Sequence, residues 1–256
     1  MFSAEHFYDP DLHFDEESHT YIYKGRELKS VTTLISEYKQ PFEKEEAAKR
    51  EVENINSHEH NEEWTKEDVL NMWDAMKEDA CEIGNRIHRY AENLFGSPRE
   101  IGKNWNEHCE IFREVPGMCK SVDRFFINMK GQVVPLGEWR PTPEVQICHP
   151  DHNLAGTVDL LYSLGNAPAI LDWKTNKSIE VFGYDKMLSP LDDLDDCNYN
   201  HYALQLNLYR WILRERYEYD VEDRMKMVHL KGDGSYEEYE VPVMEDAVES
   251  MVGVSP

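Results

Sequence analysis

Three charged residues, Asp159, Asp172 and Lys174, stand among apolar neighbours in the stretch Gly156 to Lys177, GTVDLLYSLGNAPAILDWKTNK. Two strand-like runs, Thr157–Tyr162 and Ala169–Trp173, flank a Gly-Asn-Ala-Pro turn, a pattern that predicts a β-hairpin. Asp159 lies inside the first run, and Asp172 lies near the end of the second, two residues before Lys174. Burying two carboxylates and an ammonium there costs several kcal/mol per ion. Oxygen ligation of a hard divalent cation would offset that cost. A lysine beside the ion could orient a water and meet negative charge in a transition state. The same residues also read as a hairpin with a surface ion pair.

Further residues could join this trio. His88 and Glu92 are four apart in EIGNRIHRYAENLFG, so they share a helix face. Ile83, Ile87, Tyr90, Ala91 and Leu94 form the apolar face of that helix, and Gly96-Ser97-Pro98 ends it. Gly84, one turn before His88, permits close approach of a backbone or ligand. A lone helical histidine is more often structural, and His88 gains meaning only together with Asp159 and Asp172. Glu144, on a short predicted strand over 143–149, reads as a metal-site carboxylate or an exposed strand residue. Ser30, with Thr32 and Thr33, caps a predicted helix start that could receive a phosphate or serve only as a cap. In the periodic helix from His201, Gln205 and Tyr209 share a face with His201, while Leu204, Leu208, Trp211 and Ile212 face a core. Three other groups carry less. His58–His60 (HEH) reads as surface composition, and Pro150-Asp151 sits in a polar turn. The acidic run Asp192–Asp196 lacks the glycine and final glutamate of an EF-hand loop.

The elements that must position these groups are legible from periodicity and turn chemistry. Residues 13–29 predict a small hairpin turning at Lys24-Gly25. A charged helix follows within 43–63, and Thr65 to Asp68 makes a capping-box start for a long helical region. Another helix spans 105–130, built on Trp105, Ile111, Phe112, Val122, Phe125, Phe126 and Met129 and interrupted near Pro116-Gly117. An acidic connection over 182–200 precedes the His201 helix. Two strands, RMKMVHL and YEEYEVP, then turn at Lys231–Gly234, and the tail from Val243 reads as a last short helix or a frayed end.

The 256 residues suffice for a sizeable core. The absence of a long apolar run and the acidic, polar N-terminus argue against a membrane span or signal peptide. Five widely spaced cysteines without a C-x-x-C suggest reduced thiols in a cytoplasm and give no support to a zinc ribbon. A net charge of −24 repels phosphate as a whole. The charge is uneven, however: residues 84–140 hold nine Lys/Arg against seven Asp/Glu, so a less acidic groove is compatible with it.

Taken in order, the motifs are Gly84…His88, Glu144, Gly156…Asp159, Asp172-Trp173-Lys174 and Gln205…Tyr209. This series resembles the RecB-type exonuclease branch of the PD-(D/E)XK nuclease superfamily, marked by G-x-x-x-H, a strand glutamate, G-x-x-D, D-x-K and Q-x-x-x-Y. The resemblance covers roughly residues 84–240 and includes phage-encoded exonucleases and the mitochondrial genome maintenance exonuclease. It departs from the pattern where Thr157-Val158, not proline, precedes Asp159. It implies a mixed α/β fold with a restriction-endonuclease-like αβββαβ core, a central mixed sheet flanked by helices. Residues 84–256 would form that core, with residues 1–83 as an N-terminal hairpin and helical extension packed on it. It implies metal-dependent hydrolysis of DNA phosphodiesters in recombination, replication or repair, in a cell or in the host cytoplasm of a virus. His88, Asp159, Asp172 and the Trp173 main-chain carbonyl would hold Mg²⁺ or Mn²⁺, with Glu144 at a second ion or beside Lys174. Lys174 would position the attacking water, Glu92 would support a ligand, and Gln205 and Tyr209 would contact Lys174 or the substrate strand, with Ser30, Thr32 and Thr33 nearby. Single-stranded or duplex DNA ends would be the partner, with a single-strand-binding or annealing protein as a further one. No iron–sulfur cluster is expected, because only Cys197 follows the catalytic strands. A structure-specific endonuclease of the same fold, and an acidic interaction protein without catalysis, are the rival readings.

Overall fold

The computed structural model describes residues 9–16, 18–57, 63–96, 105–133, 141–164 and 167–253. Strand β5 (Leu154–Leu164) is the axis of an eight-stranded mixed sheet. Along one edge it pairs antiparallel with β4 (Thr142–His149). Along the other it meets two strands in succession. β3 (Arg26–Ser30) runs parallel to it at Leu154 and Ala155, and β6 (Ala167–Lys174) runs antiparallel from Leu160 onward. The sheet continues through β1 (Leu12–Asp15) and β2 (Thr20–Tyr23) on the β3 side. On the β6 side lie β7 (Met225–Leu230), parallel to β6, and β8 (Tyr236–Glu240).

The hairpin predicted within 13–29 is a three-stranded meander. Its β2–β3 turn uses Lys24 at φ 50° and Gly25 at φ 78°, the left-handed pair that a tight two-residue turn demands. Ser30 caps α1 (Val31–Ser36) by accepting the Thr33 N–H at 2.9 Å. The charged helix is α2 (Lys44–Ser57), and His58–His60 lie outside the described residues. The capping box at Thr65 and Asp68 starts α3 (Lys66–Phe95), 30 residues long. Residue 84, the expected domain boundary, therefore lies inside one unbroken helix, and β1–β3 belong to the same sheet as the rest. The helix predicted over 105–130 is two, α4 (Trp105–Glu114) and α5 (Pro116–Val133), because proline lacks the N–H that would continue the first. Pro150-Asp151 begins a short 3₁₀ turn with Asp151 exposed, and the hairpin's Gly165-Asn166 lies outside the described residues.

Helices cover both faces of the sheet. On one face α6 (Asn198–Tyr217), α1 and α7 (Glu245–Gly253) share a core with Val158, Leu161 and Ile170. On the other, α3, α4 and α5 share a core with Leu160, Leu171, Trp173 and Val228. The periodicity of α6 predicted one core face, yet every residue from Ala203 to Leu213 is buried. The sheet lies beneath it, and α1, α7, Met187 and Leu191 enclose its other sides, so its polar groups must find partners inside. Asn207 does so with the Ala203 and Pro242 carbonyls and the Met244 N–H. Among the described residues, no helix is long and apolar enough to cross a membrane.

Candidate metal centre

A local break in strand regularity gathers the acidic groups. β3 leaves β5 after Ala155 and β6 joins it only at Leu160, so among the described residues no strand pairs with 156–159 on that edge. The Trp173 N–H would be orphaned where β6 diverges; it donates instead to Asp159 Oδ2 at 2.7 Å. On the β4 side the ladder is interrupted at Glu144, between the pairs Pro143–Leu160 and Val145–Val158. Glu144 has φ 50°, a left-handed backbone that is uncommon outside glycine and costs on the order of 1–3 kcal/mol. The alternation of β5 slips at the same level. Val158 and Leu161, three apart, share the α6-side core, whereas Leu160 and Tyr162 pack with α3. Gly156 is required beneath this kink, since a Cβ there would come 2.4 Å from the Tyr209 ring.

Helix α3 brings His88 over the gap. Its Nδ1 lies 3.6 Å from both Glu144 Oε1 and Asp159 Oδ1. One ligand atom from each of the three residues falls within 4.8 Å of the others, a set that could hold a metal ion. At Gly84 the helix runs close to Thr175, whose Oγ1 a Cβ there would meet at an ordinary contact distance of 3.4 Å.

Asp172 and Lys174 form the second half of the site. Asp172 is 2% exposed, and its Oδ2 lies 2.6 Å from Lys174 Nζ. The two form a buried ion pair. A carboxylate this buried is costly unless a cation accompanies it, and the Lys174 ammonium does so. Lys174 also donates to Gln205 Oε1 at 3.2 Å, and Gln205 Nε2 donates to Tyr209 Oη at 2.9 Å.

The electrostatics follow from this crowding. Burial pulls the His88 imidazole toward neutral, but Asp159 and Glu144 outweigh it and push the group up to about 9. Burial raises Asp172 to about 6 despite the opposing pull of Lys174. Burial also raises Asp159, with Glu144 adding to the effect and His88 opposing it. Lys174 is held above its ordinary value because Asp172 and Asp159 overcome its desolvation. Four charged groups therefore share one poorly solvated spot, and each perturbs the others. The site opens into a cleft of about 830 Å³, lined among others by Lys77, Gly84, His88, Glu144, Lys174 and Tyr202.

The structure thus brings together His88, Glu144, Asp159, Asp172 and Lys174. Trp173 lines the cleft with its indole packed on Phe95 and Phe125, and its main chain meets Asp159 through the N–H. Glu92 also lines the cleft, one turn beyond His88, and pairs with Arg89 at 2.7 Å. Gln205 and Tyr209 are buried and reach the cleft through Lys174. Ser30, Thr32 and Thr33 bond to one another at the α1 cap, beside Ala155, and are absent from the cleft wall.

Three contributors escaped sequence reasoning. Tyr202, one turn before Gln205, places its ring 4.1 Å from Lys174 Nζ, and Asn176 bonds its hydroxyl. Tyr21, from the N-terminal meander, meets Thr157 Oγ1 at 2.9 Å beside the kink. Tyr202 was detectable as an i, i+3 neighbour of Gln205 on one helix. Tyr21 had no local signal, being 136 residues from its partner.

No family model and no curated protein matches this chain. Among solved structures, one described as "Crystal structure of SSO0001" is similar at 17% identity, over 84% of this chain and 86% of its own. Its TM-score of 0.28 is too low to bear on fold or function.

Proposed function

We propose that this chain is a metal-dependent DNA exonuclease with the restriction-endonuclease-like core of the PD-(D/E)XK superfamily. The order α3, β4, β5, β6, α6, β7 matches αβββαβ and carries His88, Glu144, Asp159, Asp172 with Lys174, and Gln205 in turn. One observation carries the reading. Charged side chains from four elements converge where strand pairing is interrupted, with the Asp172 carboxylate buried against Lys174. Fold stability gives no reason for such an arrangement, because apolar residues would fill the space at lower cost.

The residues fit a divalent cation. His88, Glu144 and Asp159 would hold it, with Asp172, whose charge also acts on His88, close behind. A bound Mg²⁺ or Mn²⁺ would supply Lewis acidity toward a phosphoryl oxygen and a more acidic water. The imidazole favours manganese more than magnesium's usual all-oxygen shell does. Lys174, kept protonated by two carboxylates, serves as a donor. It orients an attacking water and meets charge on the phosphoryl oxygens, and it does not itself remove a proton. Gln205 and Tyr209 hold its approach from α6. DNA ends, single-stranded or duplex, are the substrate in this reading.

Digestion of end-labelled single- and double-stranded DNA with Mg²⁺, Mn²⁺ or EDTA tests it, with Asp172→Ala and Lys174→Ala alongside. Metal-dependent release of mononucleotides or short products, lost in both variants, is expected. Discrete internal fragments would instead indicate an endonuclease. Activity that survives both substitutions would remove the site from the chemistry.

A further inference from the structure

Lys174 ends β6 with its ammonium group between Asp172 and α6. Asp172 and Gln205 hold it from two directions. Tyr202 closes a third, its ring centroid 4.1 Å from Nζ, well within the range of a cation–π contact. That ring is itself fixed. Its hydroxyl donates to Asn176 Oδ1 at 2.9 Å, and the Asn176 carbonyl accepts from His229 Nε2 at 2.6 Å. His229 is buried and lies opposite Lys174 in the β6–β7 ladder. The strand that carries the lysine is therefore tied through Asn176 to the aromatic face against which the lysine rests.

We infer that Tyr202 is a positioning residue: its ring, oriented by Asn176, holds the Lys174 ammonium against Asp172 and over the cleft. The inference rests on the reading of Lys174 as the group that orients water. A lysine side chain has four rotatable carbons and a large rotamer entropy to lose. Asp172 alone fixes the ammonium at one point, which several rotamers of the lysine stem can reach. The ring removes that freedom without offering an acceptor that would compete with water or phosphate. The hydroxyl orients the ring, so phenylalanine, which keeps the aromatic face but loses the Asn176 bond, should restore most but not all of the effect.

The test compares wild type, Tyr202→Phe and Tyr202→Leu, with Tyr202→Met in place of the leucine variant if thermal melts show that it does not fold. Steady-state digestion of labelled single-stranded DNA with Mn²⁺ gives kcat and KM. In the metal-free protein, acetylation of Lys174 by an amine-reactive ester, followed by mass spectrometry, reports how tightly the ammonium is held. The leucine variant should lose roughly tenfold in kcat at unchanged KM. It should also acetylate faster at Lys174, while the phenylalanine variant falls between leucine and wild type in both, nearer to wild type. A leucine variant equal to wild type in kcat and acetylation overturns the inference. So does a rise in KM alone, which would make Tyr202 a substrate contact. If wild type itself fails to hydrolyse DNA or RNA, the proposed function falls, and the acetylation rates still decide whether Tyr202 holds Lys174.

Discussion

Helices α3 and α6 deliver side chains to the same cleft from opposite faces of the sheet, but their surroundings differ. In α6 the whole segment Ala203–Leu213 is buried, and Gln205 reaches Lys174 from within a packed core. In α3 the apolar contacts concentrate in Ile87–Phe95, while the first half has only Val69 buried. His88 sits at the edge of that packed end, its side chain 31% exposed. The lysine half of the site is thus clamped by the core, and the histidine half rests on a helix that is largely solvated along its length. Groups that must hold one geometry belong on the former; a ligand that must admit an ion and a substrate belongs on the latter.

The comparison is broken most severely if Lys174 can be removed without effect. Lys174→Ala should lower the hydrolysis rate by about 10²–10³-fold or more, measured on labelled DNA below the variant's melting temperature. That temperature should itself fall, because Asp172 loses its buried partner. Next in size is stability. Leu204→Ala or Leu208→Ala on α6 should cost about 2–5 kcal/mol in urea unfolding, because neighbouring elements cannot close the cavity. His88→Ala on α3 should cost far less stability and yet weaken Mn²⁺ binding in calorimetry. Equal stability losses at the two sites would remove the distinction between the helices.

A third outcome concerns pH. The Asp172 carboxyl is raised from 3.8 to about 6, so between those values the folded chain binds more protons than the unfolded chain. Stability from this group therefore falls as pH rises through that window. In EDTA, wild type should lose melting temperature relative to Asp172→Asn from about pH 4 to about pH 6. Saturating Mn²⁺ should reduce the gap, since ligation stabilises the charged form. A gap independent of pH would mean that Asp172 is not burdened by its burial. The smallest effect tests the solvated start of α3: Thr65→Ala should cost about 1 kcal/mol in thermal unfolding, with metal affinity unchanged.

Local chemistry made much of this protein legible in advance. The Ser30 and Thr65 caps, the Lys24-Gly25 turn and the proline break between α4 and α5 each depend on residues within a few positions of one another. The charged trio was legible for the same reason, since Asp159, Asp172 and Lys174 are conspicuous in apolar strand segments. The amphipathic reading of α6 failed because periodicity records which residues are apolar, not how many neighbours will enclose a helix.

By itself the sequence determined the element types, the motif order and the residue types available for chemistry, all properties of short windows. Only the tertiary structure decided how those residues meet. The divergence of β3 and β6 that frees residues 156–159, the left-handed turn at Glu144, and the capture of the Trp173 N–H by Asp159 are matters of strand pairing across the sheet. Tyr202 and Tyr21 join the site through contacts made only after the chain has folded. Their physical basis is non-local: a buried polar group must find a partner, and the partner is whichever group the packed fold brings within reach.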